Sequence, residues 1–182
     1  MTDRADDFRA KQRRVAAGMA AALVVSIVAI VAALHFEGRA TTPAMARLEY
    51  ALRADTFVWL WLLAAIANVA RLRFLSPRDI DGSGMTDATD AVRIGNAVLQ
   101  NTLEQAVLAV SAHVSIALIL PRPFLLITVL VWLFAIGRAC FWLGYRRGAG
   151  GRAFGFALTF YPTVLTFGLA VFELASGTKI QG

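Results

Sequence analysis

Five polar side chains recur along one side of an otherwise apolar segment, and their types and spacing suit binding chemistry. They lie three, four, four and seven positions apart, which at about 100° per residue makes one helical stripe of Arg93, Asn96, Gln100, Glu104 and Ser111. Asn101 lies beside this stripe. A carboxylate is costly to bury in hydrocarbon, so we expect the stripe to face other helices or a water-filled cavity. Two hypotheses stay open: a polar ligand site near one membrane surface, or packing across a bundle or oligomer interface.

A second set of candidates lies further along the chain. Arg138, Tyr145 and Arg152 follow one another at intervals of seven residues. The first two share one face of a helix, and Arg152 is predicted to begin the next helix, where the N-terminal dipole adds positive charge. With Arg146 and Arg147 they predict a cationic rim at the membrane surface. Such a rim orients the protein and contacts lipid headgroups, but it also suits a bound carboxylate or a thiol that must lose its proton.

The remaining candidates are better explained by structure than by chemistry. His113 lies on the opposite helix face from Glu104 with no partner at ligand spacing, which predicts a packed or hydrogen-bonded imidazole. The single cysteine, Cys140, lies in an apolar segment and is expected to be an inert thiol. No metal site is predicted.

One polar connection has the spacing of a calcium loop. Its candidate positions are Asp79, Asp81, Ser83, Gly84 and Asp90. The last position holds an aspartate where such loops normally use a glutamate, and Pro77 opposes a helix running into the loop. The connection is therefore predicted to be a solvated turn that caps the next helix.

Five apolar segments must position these residues. They cover residues 15–36, 56–72, 94–120, 123–145 and 153–175, in a chain that is 58% hydrophobic. The first has no charge over its whole length and is long enough for the roughly 30 Å hydrocarbon layer. Unpaired backbone amides are costly in lipid, so each segment is expected to be a helix. The sequence predicts an all-α integral membrane protein in contact with the lipid bilayer.

The charge distribution predicts orientation rather than nucleic-acid binding. Most of the 18 basic residues fall on one side of a five-span arrangement, which places the N-terminus in the cytoplasm and the C-terminus outside. The first segment also has features of a secretory signal, with a small-residue site at Ala44, Met45 and Ala46. Its length favours a retained helix over a cleaved signal.

The two clusters together resemble a divergent, bacterial-type member of the MAPEG family, the membrane-associated proteins of eicosanoid and glutathione metabolism. The stretches that carry the resemblance are 99–105, Gly137-Arg138, Tyr145 and Gly151-Arg152. The resemblance covers about residues 56–175 and leaves the first 55 unmatched. It implies a four-helix bundle that forms a homotrimer and holds glutathione between neighbouring subunits near the cytoplasmic face.

The resemblance also implies site residues. Asn101 and Glu104 match the polar pair that contacts glutathione in the family, Arg138 and Tyr145 match its arginine and tyrosine, and Arg152 matches the arginine proposed to stabilise the thiolate. Gln100 and Arg93 complete the predicted glutathione-binding set. Arg71 or Arg73 is a weaker match to a further arginine of the family.

Three departures from the family pattern accompany these matches. Ala97 stands where the family usually has an arginine, and Arg93, one turn away, is a candidate substitute. Phe141 stands where some members have a tyrosine, and an additional helix precedes the bundle.

The predicted organisation has three parts: a cytoplasmic basic tail at 1–14, an extra transmembrane helix at 15–36 and a MAPEG-like bundle at 56–175. The leading hypothesis is a glutathione-dependent transferase or peroxidase that acts on a small lipophilic electrophile, with Arg152 as the catalytic residue. The alternative is a non-enzymatic bundle in which the polar stripe only packs subunits. A transporter that uses Glu104 is weakly supported, because no paired carboxylates or broken-helix repeat are present.

Overall fold

The computed structural model describes residues 2–38, 40–82 and 87–176, and in these ranges every regular element is helical. The elements are α1 (Thr2–Phe36), α2 (Ala44–Phe74), α3 (Asp90–Ile119), α4 (Phe124–Gly144), a 3₁₀ turn (Tyr145–Arg147) and α5 (Gly148–Ala175).

Within the described ranges, four continuous helical stretches are long and apolar enough to cross a membrane. They are Asp6–Phe36, Ala44–Phe74, Asp90–Ile119 and Phe124–Ala175. The last stretch contains both α4 and α5, which fold back on each other where Gly148 takes a positive φ of 79°. The chain is therefore an integral, multi-pass membrane protein built from helices.

Small residues let α4 and α5 approach closely. A methyl group at Gly155 would collide with the backbone nitrogen of Phe141, and one at Gly137 would lie 2.6 Å from Cγ2 of Thr159. Gly144 and Gly151 make a similar approach nearer the turn. This close antiparallel packing fixes the register between the residues of α4 and those of α5.

Helices α2 and α3 are joined by a buried polar contact. The imidazole Nδ1 of His113 lies 2.5 Å from Oδ1 of Asp55, and both side chains are almost fully buried. The other oxygen of Asp55 has no hydrogen-bond partner among the described residues. Nearer the N-terminal end of α2, the buried side chain of Arg47 donates to the backbone carbonyl of Ala117 on α3 at 2.8 Å. His113 is thus the hydrogen-bonded imidazole that its isolation in the sequence indicates.

Helix α1 packs along α4 and α5, parallel to α5, and does not pack against α2 or α3. Gly18 lies against the backbone of Phe154, and Ala22 is fully buried one turn further on. At its end, the carboxylate of Glu37 accepts hydrogen bonds from the backbone N–H groups of Leu125 and Leu126, at 3.0 and 3.1 Å. A carboxylate at this position satisfies the free amides of the first turn of α4 and interacts favourably with the helix dipole.

The connection from α2 to α3 is organised by one carboxylate. Asp79 accepts hydrogen bonds from the hydroxyl of Ser76 at 2.6 Å and from the hydroxyl and backbone N–H of Thr89 at 2.7 and 2.9 Å. These hydrogen bonds, that from Ser76 above all, hold the pKa of the Asp79 carboxyl below its usual value. Thr89 in turn caps α3 by accepting from the backbone N–H of Val92.

This connection therefore contains the predicted helix cap. Ser83 and Gly84, which belong to the calcium-like spacing, lie outside the described residues.

The predicted helix limits need three corrections. Helix α1 continues N-terminally from the apolar segment 15–36 through most of the basic tail. Helix α2 begins at Ala44 rather than near residue 56, because polar residues such as Arg47 and Asp55 are buried inside it and mask its apolar pattern. Helix α5 begins at Gly148 rather than at Arg152, so residues 148–151 form its first turn.

Candidate functional site

Arg138 is the largest of the fully buried side chains, with 1% of its surface exposed. One guanidinium nitrogen donates to Oδ1 of Asn101 on α3 at 2.9 Å, and the other terminal nitrogen donates to Oγ1 of Thr159 on α5 at 2.6 Å. The ring of Phe141 lies 4.6 Å from the guanidinium carbon. Arg138 therefore links α4 to α3 and to α5, close to the tight α4–α5 packing that Gly137 permits.

The contact with Arg138 also fixes the orientation of the Asn101 amide. An arginine has only donors, so Asn101 must present its carbonyl oxygen to the guanidinium. Its NH₂ group then points away from the Arg138 guanidinium and is left as a donor. In this position it suits a carboxylate or a peptide carbonyl.

A cavity of about 350 Å³ lies beside this amide, between α1, α3, α4 and α5. Its lining residues are Val15, Met19, Ala97, Asn101, Phe141, Tyr145, Ala149, Arg152, Ala153 and Phe156. The guanidinium carbon of Arg152 lies 4.5 Å from the centre of the Tyr145 ring, a cation–π contact that holds both side chains at the cavity. Three of the predicted site residues, Asn101, Tyr145 and Arg152, are thus brought together.

Arg138 does not line this cavity, although the sequence suggests it as a direct ligand. It lies behind Asn101 and acts on the cavity only by orienting that amide. Arg152 stands in the second turn of α5 rather than at its first residue, because the helix begins at Gly148. The positive end of the helix dipole therefore lies at the residues before Arg152 and adds little positive charge at Arg152 itself.

The other predicted site residues lie outside the cavity. Gln100 and Glu104 are exposed on α3, where the amide of Gln100 donates to the Glu104 carboxylate at 3.0 Å. Arg93 is exposed as well, forms an ion pair with Asp90 and does not line the cavity beside Ala97. Arg93, Gln100 and Glu104 of the polar stripe are exposed and face no other helix of the described chain, and packing across an oligomer interface stays a prediction.

Three sets of residues at or near the site have no sequence pattern that indicates their role. Val15 and Met19 come from α1, at the start of an apolar run that resembles any membrane segment. Thr159 is one of several threonines in α5, and only the fold shows that it accepts from Arg138. The Oε1 atom of Gln105 is buried in α3 without a hydrogen-bond partner in the described chain, which the stripe pattern also does not indicate.

Several arginines lie at the same end of the bundle as this cavity. A second cavity, of about 310 Å³, lies between α2, α3 and α4 and is bordered by Arg71, Tyr145 and Arg146. Tyr145 therefore separates two cavities. Arg14 of α1 lies beside Gly150 at this end too.

These elements define a membrane-embedded helical bundle with a cavity that is bordered by arginine, tyrosine and asparagine at its basic end. The MAPEG family model matches residues 50–172, more than half of the chain, and the chain belongs to the MAPEG family. Helix α1 lies before the matched range. Comparisons with curated proteins and with solved structures give no match.

Proposed function

We propose that this protein is a glutathione-dependent transferase or peroxidase that acts on lipophilic electrophiles. The observation that carries the proposal is the shared cavity of Asn101, Tyr145 and Arg152, with Arg138 fixing the amide of Asn101 from behind. Membership in a family of glutathione and eicosanoid metabolism supports glutathione as the co-substrate.

In this proposal Arg152 stabilises the thiolate of glutathione. A guanidinium beside a thiol favours the charged form and lowers the thiol pKa. In a transferase reaction the thiolate sulfur forms a bond to the electrophilic carbon, the leaving group departs with its bonding electrons, and the thiol proton passes to water. In a peroxidase reaction two thiols are oxidised to a disulfide while a hydroperoxide is reduced to an alcohol and water.

Asn101 would hold the peptide of glutathione through its oriented NH₂ group, and Tyr145 would border the thiol. The apolar residues of the same cavity suit an electrophile that enters from the membrane. Ala97 leaves room in the wall where the family usually has an arginine, so peptide binding depends more heavily on Asn101 and Arg152.

Glu104 and Gln100 would take part only through a second copy of the chain. Their outward position on α3 supports a homotrimer in which this polar face meets a neighbouring subunit. We also infer that the basic end of the bundle, with Arg14, Arg71, Arg146 and Arg152, faces the cytoplasm. That orientation places the N-terminus inside and, with five spans, the C-terminus outside.

The test is glutathione binding by the detergent-solubilised protein, measured by calorimetry. We expect Arg152→Ala to weaken binding by about tenfold or more, because it removes a charge-assisted contact of about 1.5–3 kcal/mol. Arg147→Ala removes the same charge from the exposed rim and should leave affinity within about twofold. Thiolate absorbance of the bound ligand should show a lowered thiol pKa that returns towards its solution value in Arg152→Ala.

The alternative is a non-enzymatic bundle whose polar face only packs subunits. The exposed Gln100–Glu104 hydrogen bond and the alanine at position 97 favour it. Absence of glutathione binding at millimolar concentrations, in a protein that still forms oligomers, would replace the first proposal with this one.

A further inference from the structure

Helix α1 is a fixed part of the bundle where it passes the candidate site. Gly18 packs against the backbone of Phe154, and a methyl group at Gly18 would lie 3.2 Å from that backbone nitrogen. Ala22 and Ser26 are fully buried one and two turns further on, and the Ser26 hydroxyl donates to the Ala22 carbonyl. A helix held by such close contacts presents its neighbouring side chains in a defined position.

Two of those neighbouring side chains, Val15 and Met19, line the same cavity as Asn101 and Arg152. They are one turn apart on α1 and half-buried. Phe156 continues their apolar surface on α5, while Asn101 and Arg152 are the polar side. The cavity thus has one apolar and one cationic side.

The cavity also lies at the level where charge gives way to hydrocarbon. Arg13 and Arg14 immediately precede Val15, which begins the uncharged run of α1. Because α1 does not pack against α3, the cleft between them is left unfilled by the chain itself. A ligand with an ionic part and an apolar part matches this position, and the flexible thioether of Met19 adapts to apolar groups of different shape.

We propose that Val15 and Met19 are specificity-determining residues, which form the wall that receives the apolar group of the electrophile beside the thiol. The inference rests on the proposed function for the identity of the thiol, but it assigns the apolar half of the site to a helix that lies outside the family match. Helix α1 then decides which electrophiles fit.

The test compares the affinities of glutathione, S-methylglutathione and S-hexylglutathione for the full chain in detergent, by calorimetry. The added methylenes should make the hexyl compound bind about tenfold or more tightly than the methyl compound, as expected for partial burial of an alkyl chain. Met19→Trp should reduce this ratio to about threefold or less, because the indole fills the space that the hexyl chain would occupy. Met19→Ala, which removes apolar contact without adding bulk, should lower the ratio by roughly threefold.

The matched control is Val24→Trp, since Val24 is on α1 but 61% exposed, away from the cavity. It should leave the hexyl-to-methyl ratio unchanged, because its added indole contacts detergent and does not reach the cavity.

The outcomes separate the two proposals. Glutathione binding with the same hexyl-to-methyl ratio in wild type, Met19→Trp and Met19→Ala would overturn the role of α1 and leave the proposed function standing. A Met19-dependent ratio in a protein that never turns over an electrophile or a hydroperoxide would overturn the proposed function and support the apolar wall. Failure of glutathione and both of its S-alkyl derivatives to bind would overturn both.

Discussion

At the scale of single residues, the buried side chains of Arg138 and Asp55 take part in different interactions. Arg138 divides its hydrogen bonds between Asn101 and Thr159 and thereby orients an amide at the candidate site. Asp55 pairs with His113 in the α2–α3 contact and lines neither of the two cavities at the basic end. Arg138 therefore acts at the candidate site, whereas the Asp55–His113 pair joins two membrane-spanning helices.

Removing one member of the Asp55–His113 pair should be strongly destabilising. Asp55→Ala leaves the His113 imidazole buried without its partner, and we expect a loss of about 3–5 kcal/mol, measured by unfolding in detergent. Replacing both residues by leucine should recover most of that loss, because neither polar group then remains unpaired. Glu49→Ala breaks only the exposed ion pair with Arg53 and should cost about 1 kcal/mol or less. An equal effect of Asp55→Ala and Glu49→Ala would contradict a stabilising role for the buried pair.

At the scale of elements, the α4–α5 hairpin sets the geometry of the cavity. Arg138 and Tyr145 come from α4 and the turn that follows it, while Arg152 and Thr159 come from α5. The distances between them depend on how closely the two helices pack, and the contact of Gly155 with the Phe141 backbone is one of the closest points of that packing. The backbone spacing at Gly155 therefore controls the distance between the arginines on α4 and α5 at the candidate site.

A methyl group at this contact should disturb both stability and ligand binding. Gly155→Ala would place its Cβ against the Phe141 backbone, so the helices must separate, and we expect a loss of about 1–3 kcal/mol on unfolding in detergent together with weaker glutathione binding. Gly168→Ala is the matched control on α5, since its added methyl group meets open space. Equal melting temperatures for the two variants would show that the close approach is unimportant.

The α2–α3 connection should add an acid-dependent term to stability. The pKa of Asp79 is lowered in the folded protein, so its stabilising contribution is complete above the ordinary aspartate pKa of about 3.9 and is lost as the pH falls through the lower folded value. Melting temperature in detergent should therefore fall less steeply below about pH 4 in Asp79→Asn than in wild type. Asp81→Asn, at an exposed position in the same connection, should keep the wild-type slope. Identical slopes for all three proteins would contradict this role of Asp79.

At the scale of the whole molecule, a single chain leaves a polar face of α3 directed outward. A carboxylate and an amide on a membrane helix are costly in contact with lipid, and an exposed position in one chain becomes a buried one in an oligomer. The same face borders the cleft between α1 and α3, so a neighbouring subunit on it would lie beside the candidate site. The proposed homotrimer would thus help to enclose the ligand.

The oligomer should depend on Glu104. We expect Glu104→Gln to weaken self-association in detergent by about tenfold or more, measured by light scattering over a dilution series, because a charge-assisted hydrogen bond contributes about 1.5–3 kcal/mol. Glu173→Gln, the same substitution near the end of α5, should leave self-association unchanged. Unaltered dissociation of Glu104→Gln would place the subunit interface elsewhere.

The sequence by itself determined the class of the protein and indicated its family. In lipid, long uncharged segments can satisfy their backbone hydrogen bonds only as helices, so the helical membrane bundle follows from the hydrophobicity of the sequence. The order and spacing of the Asn101 and Arg138–Arg152 clusters indicated the family, which the match over residues 50–172 confirms. The start of α2 was mispredicted, because buried polar residues such as Asp55 look like a loop until their partners are known.

Only the tertiary structure decided which residues share the cavity. Helical periodicity gives the angle of a side chain around its own helix, but it does not determine which neighbouring helix that side chain meets. For this reason Arg138 lies behind the cavity, Glu104 faces outward, and Met19 becomes part of the site. These placements follow from close packing between helices distant in sequence, where glycines and small residues set how near two backbones come.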